Sequence, residues 1–382
     1  MKSGYRGHPV SFDFNERPFL VIWETTHACD LACIHCRASA EPEAKPGELT
    51  HDEALDLIRQ VREMNTPILI FSGGDPLKRK DLPELIRYAQ SLGLRTGAIP
   101  AGSPLLTDDR IREFQTAGLD QIAFSLDAAN AADHDAFRKV EGVFDRTLKS
   151  IATANRLGLA VQINSLINLH NLERLEPLIE LVRTLDIVFW EVFFLVPLGR
   201  GNELTILSGA KFEEAFEKIY ALNKQSSFVI KVTEAPHYRR FCIEKEMVSA
   251  GLDPRTAPLE KLELPEYLRK VNGPRRSIGH APQGVNSGKG FLFISCEGEI
   301  MPSGFLPISA GHMRRDRLAD VYRQSQLFKT LRDTSLLKGR CGICAYKDIC
   351  GGSRSRAYAM IGDYLAEDPC CAYQPAEKAV VK

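Results

Sequence analysis

Short apolar segments alternate with amphipathic helical patterns over the first 232 residues, and this alternation leaves few possible folds. The segments have the composition of strands and cover residues 19–24, 67–72, 94–99, 121–126, 159–167 and 188–196. A helical pattern follows each of them, and the first begins with a capping box at Thr50 and Glu53. Such alternation predicts a parallel sheet covered by helices, with functional residues at the carboxyl ends of its strands. Six β/α units are too few for a closed eight-stranded barrel, so we predict an α/β fold, a partial (β/α)6 TIM-like barrel.

The alternation stops near residue 233. Residues 234–290 are rich in Pro, Gly and Arg, which indicates a linker or loop-rich bridge. Residues 290–304 predict a β-hairpin turning at Glu297-Gly298, and a short helix is expected near 317–332, before a cysteine-rich tail. We therefore expect an N-terminal extension, a barrel core, a bridging segment and a small C-terminal cysteine-rich domain. Their boundaries are 1–18, 19–232, 233–289 and 290–382.

The overall charge excludes some partners. Lys+Arg and Asp+Glu number 49 each among 382 residues, so no net field attracts nucleic acid or an anionic membrane. No apolar run approaches the ~18 residues of a membrane span, and the N-terminus lacks the apolar region of a signal peptide. We expect a cytoplasmic protein that binds neither nucleic acid nor membrane.

The chain contains ten cysteines, and most of them are clustered. In the cytoplasm thiols stay reduced, so clusters indicate metal ligands rather than disulfides. Cys242 and Cys296 stand alone and are expected to be small buried side chains. The clusters are 29/33/36 and 341/344/350, with 370/371 near the second. Three thiolates in the first cluster allow either zinc, with His27 or His35 as a further ligand, or a four-iron cluster with one open iron.

The spacing Cys29-x3-Cys33-x2-Cys36 after the first strand, with S-G-G-D-P at 72–76 after the second, resembles the radical S-adenosylmethionine (SAM) superfamily. The resemblance implies a 4Fe-4S cluster on these three cysteines, whose open iron binds SAM. It also implies reductive cleavage of SAM to a 5′-deoxyadenosyl radical, which abstracts a hydrogen atom from the substrate. A flavodoxin- or ferredoxin-type reductant is expected to supply the electron.

The same resemblance assigns SAM contacts to other positions. His35 would lie near the adenine, and the glycine-rich loop would receive the SAM amino group. Asp75 stands where the family more often has Glu, and the third strand end, 98–103, lacks the family's usual Thr-Asn-Gly. Packing, strand-end capping or simple solvation are the alternatives for these side chains. The implied SAM-binding residues are His35, Gly73, Gly74, Asp75, Ser125, Asp127, Asn164 and Arg200, with Ser125 and Asp127 ending the fourth strand and Asn164 the fifth.

The tail carries Cys341-x2-Cys344-x5-Cys350, followed by Cys370 and Cys371. Structural zinc or an auxiliary iron–sulfur cluster would explain this spacing. Behind a radical SAM core it resembles the SPASM or shortened twitch extension, which implies one auxiliary 4Fe-4S cluster on Cys341, Cys344, Cys350 and Cys371, with Cys370 as the alternative fourth ligand. Ser353 stands where relatives usually have Cys, so a further inner cluster lacks ligands.

Residues 350–373 resemble the tails of radical SAM enzymes of haem and haem-d biosynthesis and of mycofactocin-type maturases. About eighteen residues precede the first strand, which favours a small-molecule enzyme over a maturase with a leader-binding domain. We hypothesise an anionic substrate, such as a tetrapyrrole side chain, bound by arginines. A peptide maturase is the alternative, and a zinc-stabilised binding protein without catalysis is a remote one. The arginines considered are Arg239, Arg240, Arg275, Arg276, Arg314, Arg315, Arg354 and Arg356. Catalytic residues stay unknown; hydrogen donors could be Tyr238, Tyr358 or Cys242.

Overall fold

The structure is a computed structural model that describes residues 12–255, 278 and 284–375. Within these residues the strands form one sheet, in the order β10-β9-β8-β1-β2-β3-β4-β5-β6-β7. The strands are β1 Leu20–Glu24, β2 Ile68–Ser72, β3 Arg95–Ala98, β4 Gln121–Ser125, β5 Ala160–Ile167, β6 Phe189–Phe194, β7 Val229–Thr233, β8 Phe291–Ile294, β9 Glu299–Met301 and β10 Gly311–His312. Strands β8 and β1 to β7 run parallel to one another, and β9 and β10 pair antiparallel.

Helices connect these strands and cover the sheet. They are α1 His51–Glu63, α2 Leu82–Ser91, α3 Asp108–Ala117, α4 Ala131–Arg138, α5 Val143–Arg156, α6 Leu175–Thr184, α7 Gly209–Asn223, α8 Tyr238–Ser249, α9 Leu318–Gln324, α10 Gln326–Arg332, α11 Gly339–Ile343 and α12 Arg354–Ile361. Their apolar positions, such as Leu57, Ile58 and Leu178, are buried against the sheet in one large core. The predicted α/β class and partial barrel are confirmed.

The predicted capping box begins α1. Thr50 Oγ1 accepts from the Glu53 N–H, and the Glu53 carboxylate accepts from the Thr50 N–H at 2.8 Å. The helix expected near 317–332 is two helices, because Ser325 has extended backbone and its side chain caps α10.

The sheet has two parallel strands beyond the six that the sequence predicted. Strand β7 pairs with β6, and β8 pairs with β1, with Leu20 opposite Phe291. The pattern of β7 was missed because Lys231 interrupts its apolar residues. The predicted hairpin is present as β8 and β9, with Gly298 at φ 99° in its turn. Its first strand extends the barrel sheet, while the four-part division of the chain stays a prediction.

Helix α8 lies where the sequence predicted only a linker or loop-rich bridge, and that prediction is wrong for these residues. Pro236 precedes the helix rather than breaking it, and Phe241, Cys242 and Met247 bury its inner face. Residues 256–277 and 279–283 of the predicted bridge lie outside the described residues. In the part that is described, no helix combines the length and apolar character needed to cross a membrane.

Candidate active site

The three cysteines of the first motif lie in the loop that follows β1, at the carboxyl end of the sheet. They share one group of packed side chains with Leu31 and Ala40. The Leu31 N–H donates to Cys29 Sγ at 3.4 Å, and the Ala40 N–H donates to Cys36 Sγ at 3.5 Å. Backbone donors aimed at sulfur are typical of sites that hold iron–sulfur clusters.

Burial raises the pKa of Cys29 to about 12 and also raises the pKa of Cys33. For Cys33 the Arg138 guanidinium opposes this shift, because its Nη1 donates to Cys33 Sγ at 3.7 Å. A thiolate in such a place needs a compensating positive charge, which a bound metal supplies. The residues of this loop therefore fit a metal cluster.

Arg138 is itself paired with a buried carboxylate. Asp127 follows β4 and accepts from Arg138 Nε at 2.9 Å and from the Leu166 N–H at 2.9 Å. Burial raises the pKa of Asp127, but Arg138, His35, His134 and the Leu166 N–H together outweigh this and leave the pKa below its usual value. Both carboxylate oxygens are thus engaged beneath the cysteine loop. These contacts support a role for Asp127 in holding Arg138.

The two glycines of the second motif bring the loop after β2 against the cysteine loop. The Gly74 N–H donates to Thr26 O at 2.8 Å, and the Asp75 N–H donates to Ala28 O at 2.7 Å. A Cβ on Gly74 would lie 2.4 Å from His27 O, and one on Gly73 would lie 2.8 Å from Thr26 O. Only glycine permits this close approach.

The side chain of Asp75 is fully buried and satisfied within the protein. It accepts from Ser103 Oγ at 2.6 Å and from the N–H groups of Leu77 and Ala101 at 3.1 and 3.2 Å. Burial raises the pKa of this carboxyl group, although these hydrogen bonds oppose the shift. Asp75 thereby ties the loop after β3, to which the sequence assigned no SAM contact, to the site.

Arg200 clamps the cysteine loop. Its Nε donates to Cys33 O at 2.9 Å and its Nη1 donates to Ala40 O at 3.0 Å. Its Nη2 is buried without a partner among the described residues and remains as a donor for a ligand. Neighbouring Gly199 approaches so closely that a Cβ would lie 2.4 Å from Arg37 O. Sequence reasoning named Arg200 but missed Gly199, for which the L-G-R-G turn was the available signal.

The remaining predicted SAM contacts lie at the same edge of the sheet. The His35 ring stacks on Phe137 with centroids 4.5 Å apart and planes 10° apart. Burial lowers the pKa of His35 to about 3, and no group in the described part of the chain bonds to its buried Nδ1. Ser125 ends β4 and pairs with Asn164. The prediction that Asn164 ends its strand is wrong, because β5 continues to Ile167.

The second cysteine cluster gathers around a smaller cavity in the tail. Cys341, Cys344, Cys350 and Cys371 all line it, whereas Cys370 lies in the main core. Burial raises the pKa of Cys371 to about 11 and raises those of Cys344 and Cys350. The Gly352 N–H donates to Cys350 Sγ and the Asp368 N–H donates to Cys341 Sγ, both at 3.4 Å. Four thiols with such donors fit an iron–sulfur cluster.

A buried arginine also reaches this second site. Arg354 Nη2 donates to Cys341 Sγ at 3.7 Å, and its Nη1 donates to the carbonyls of Tyr364 and Ala366 at 2.8 and 2.7 Å. Ser353, by contrast, donates to Glu234 Oε2 at 2.5 Å. Among the described residues, no three His, Cys, Asp or Glu side chains are grouped so that they could hold a single metal ion.

A larger cavity lies inside the barrel, lined by alternate residues of successive strands. Its wall is apolar along β1 to β3 and β8, whereas along β4 to β7 and the residues that follow polar side chains alternate with Ala123, Phe189, Phe193 and Val232. The apolar side includes Leu20, Ile22, Ile68, Ile70, Ile99 and Phe291, and the polar side includes Gln121, Gln162, Glu191, Lys231, Thr233, Glu234 and Arg239.

Glu191 is the centre of the polar side and was missed by sequence reasoning. Its carboxylate accepts from Lys231 Nζ at 2.6 Å, Thr233 Oγ1 at 2.6 Å and Gln162 Nε2 at 3.0 Å. The charge of Lys231 is therefore balanced. A single Glu in an aromatic strand, F-W-E-V-F-F, was the signal available in the sequence.

Of the arginines considered for substrate binding, Arg239 is the one that lines the barrel cavity within the described chain. Arg314 pairs with Glu53 outside the barrel, and Arg315 is exposed. Arg240 and Arg356 pair with acidic residues and Arg354 with carbonyls, while Arg275 and Arg276 lie outside the described residues. The suggested hydrogen donors Tyr238, Tyr358 and Cys242 are not among the residues that line this cavity.

Comparison with known proteins identifies the family. Residues 23–185 match the sequence model of the Radical SAM superfamily. The chain is 38% identical over 361 residues to the AdoMet-dependent heme synthase of Methanosarcina barkeri, covering 94% of this chain and 98% of that protein. The chain belongs to the radical SAM superfamily. It is therefore a SAM-dependent enzyme of the subgroup that the tail sequence indicated.

A second relative by sequence and one solved structure are also similar to this radical SAM protein. It is 28% identical over 373 residues to the Fe-coproporphyrin III synthase of Methanosarcina barkeri, covering 95% of this chain and 90% of that protein. It also resembles Streptococcus suis SuiB bound to precursor peptide SuiA, with a TM-score of 0.69, 16% identity and coverage of 94% of this chain and 76% of SuiB. At that identity the likeness concerns the fold alone.

Proposed function

We propose that this radical SAM enzyme converts propionate side chains of an iron-coproporphyrin to vinyl groups, as in haem synthesis. The observation that carries the proposal is the barrel cavity, which combines an apolar wall with an arginine on its polar side. A tetrapyrrole has the same division, with an apolar ring system and carboxylates at its edge. Similarity to a haem synthase over nearly the whole length of both chains supports this choice.

Cys29, Cys33 and Cys36 are the proposed ligands of the SAM-binding 4Fe-4S cluster. When bound, this cluster and SAM supply the 5′-deoxyadenosyl radical that abstracts a hydrogen atom from the substrate. The chain's part is to position SAM. Gly74 allows close backbone approach, and the free Nη2 of Arg200 can donate to the SAM carboxylate.

Other predicted SAM contacts divide into two groups. The stacked rings of His35 and Phe137 offer an apolar surface for adenine, and Ser125 and Asn164 lie level with each other for ribose or carboxylate contacts. Asp75 and Asp127 act through the loops that they hold, because their oxygens are already hydrogen bonded.

One auxiliary 4Fe-4S cluster is proposed on Cys341, Cys344, Cys350 and Cys371, because these four thiols face one cavity. Conversion of one propionate to a vinyl group removes a hydrogen atom, carbon dioxide and one further electron from the side chain. That electron needs an acceptor. The tail site lies beside the barrel cavity, since Arg239 lines the cavity and donates to the carbonyl of Ile349, next to Cys350.

An anaerobic assay tests the proposal. Protein with reconstituted clusters is mixed with SAM, dithionite and iron-coproporphyrin III. We expect a shift of the Soret band on binding, 5′-deoxyadenosine above background, and a product with vinyl groups by mass spectrometry. The proposal is wrong if the Soret band does not shift and SAM cleavage does not rise above background. A flavodoxin- or ferredoxin-type protein is the expected natural reductant in place of dithionite.

Modification of a ribosomal peptide is the second candidate, supported by the fold shared with SuiB. The support for this candidate is weaker, because the chain is 16% identical to SuiB and 38% identical to the haem synthase. The apolar wall with one arginine also suits a flat anionic ring better than an extended peptide. A gene for a short precursor peptide beside this one would favour the peptide, and neighbouring sirohaem genes would oppose it.

A further inference from the structure

The wall of the barrel cavity holds a guanidinium group whose charge no carboxylate balances within the described residues. Arg239 lies in the first turn of α8. Its Nη1 donates to Ile349 O at 3.0 Å and its Nη2 donates to Val285 O at 3.3 Å. These two hydrogen bonds hold the guanidinium in place. Because a guanidinium has five N–H donors, others remain for a ligand.

Lys289, close to Arg239, donates to the carbonyl of Asp348, but three other cationic side chains of this region have acidic partners. Lys231 pairs with Glu191 at 2.6 Å, and Arg356 pairs with Asp368 at 3.2 Å. Arg240, the next residue in the chain, pairs with Glu213 and Glu244. Within the described residues, Arg239 is thus the cation of the cavity wall that has no carboxylate partner.

The surroundings of Arg239 increase the strength of any ion pair formed there. Arg239 is half-buried, so its guanidinium is partly withdrawn from water. Charge-assisted, bidentate hydrogen bonds to a carboxylate are stronger in such a place than at the surface. The hydroxyl of Ser287, which also lines the cavity, offers a further polar contact.

We propose that Arg239 binds one carboxylate of the substrate through its guanidinium fork and so fixes the orientation of the ring system against the apolar wall. Because Ile349 O holds this guanidinium, the bound carboxylate lies beside the loop of Cys350. The inference rests on the proposed function, since it takes a propionate-bearing tetrapyrrole as the occupant. It makes Arg239 a specificity-determining residue of that reaction.

The test compares a tetracarboxylate with its uncharged methyl ester. Iron-coproporphyrin III and its tetramethyl ester are titrated anaerobically into cluster-loaded wild type, Arg239→Met, Arg239→Lys and Arg315→Met, and the Soret band reports binding. Arg315 is an exposed arginine and serves as the matched control. We expect Arg239→Met to bind the acid about 10- to 100-fold more weakly, the usual loss for a charge-assisted hydrogen bond, with little change for the ester.

Arg239→Lys should recover part of the acid's affinity, because it keeps the charge without the fork. Arg315→Met should bind both the acid and the ester with wild-type affinity. The ratio of acid to ester affinity is measured within each variant, so a general loss of folding does not imitate the result. If Arg239→Met keeps the wild-type ratio, the inference is wrong although the proposed function stands. If wild type binds neither ligand, the proposed function and the inference both fail.

Discussion

The two cysteine sites differ in how the chain builds them. Cys29, Cys33 and Cys36 lie in one continuous loop, which the loops carrying Gly74 and Arg200 hold from two sides. The tail site instead joins the segment of Cys341 to Cys350 with a later segment that contributes Cys371. Three cysteines leave a coordination position open for a reagent, whereas four can close a site.

The two sites also differ in the arginine that donates to a cysteine, because the two arginines have different partners. Arg138, which donates to Cys33, is neutralised by the buried carboxylate of Asp127. Arg354, which donates to Cys341, has carbonyl partners. A cluster near an unneutralised positive charge accepts an electron more readily. Within the described residues Arg354 forms no ion pair, so we predict a higher reduction potential for a cluster in the tail site than for one in the barrel site.

The strongest way to break this comparison is to remove a ligand from the open site. Cys36→Ala should reduce 5′-deoxyadenosine formation to background, because the cluster that binds SAM is lost. Iron should fall from about eight to about four atoms per chain, since the tail cluster has its own four cysteines. Iron analysis and an anaerobic SAM-cleavage assay measure both. Normal cleavage in this variant would refute the assignment of the barrel site.

Removing the fourth ligand of the tail tests the closed site, and the chain offers a matched control in the adjacent cysteine. Cys371→Ala should lower iron to about four atoms per chain while SAM cleavage without substrate continues. Cys370→Ala should keep about eight, because Cys370 packs in the main core. The opposite result, with iron lost in Cys370→Ala alone, would assign the ligand to Cys370.

A methyl group added at Gly74 should damage the barrel site and leave the tail site intact. The new Cβ meets His27 O at 2.4 Å, so the two loops must separate, at a cost of about 1–3 kcal/mol. We expect SAM cleavage to fall about tenfold or more, since 1.4 kcal/mol is a factor of ten in rate. The measurement is SAM cleavage at equal iron content.

Gly93→Ala provides the control for Gly74→Ala. Gly93 has a φ of 80°, and an added Cβ would meet no atom within 4 Å, so alanine there costs roughly 1–2 kcal/mol of stability without touching the site. SAM cleavage should be unchanged in this variant. An equal loss in both variants would mean that stability rather than loop contact controls cleavage.

Much of the fold was predictable because the alternation of strands and helices is a local pattern. Helix α4 was missed although Asn130 accepts from the Asp133 N–H at 2.9 Å, a capping signal present in the sequence. Strand β7 was missed because Lys231 looks misplaced in a buried strand until Glu191 is seen beside it. The pairing of β8 with β1 joins residues distant in the chain, which local patterns do not reveal.

For the candidate site, too, local motifs could be predicted from the sequence and tertiary contacts could not. The cysteine motif and the glycines are contiguous in the sequence and could be named from it. The contact of Arg138 with Cys33 and the engagement of Asp75 by Ser103 depend on tertiary packing. The sequence grouped eight arginines as equals, and their places in the fold separate Arg239 from the five others that the structure describes.

The smallest effect concerns the potential of the tail cluster. Arg354→Met should lower its midpoint potential by tens of millivolts, where about 60 mV is a tenfold change for one electron, because a positive charge beside Cys341 is removed. Arg354→Lys should lower it less, since the charge is kept. Redox titration followed by electron paramagnetic resonance measures both clusters in one sample, so the barrel cluster, next to the neutralised Arg138, is the internal control. An equal shift of both clusters, or none, would contradict the difference between the two sites, because only the tail cluster borders Arg354.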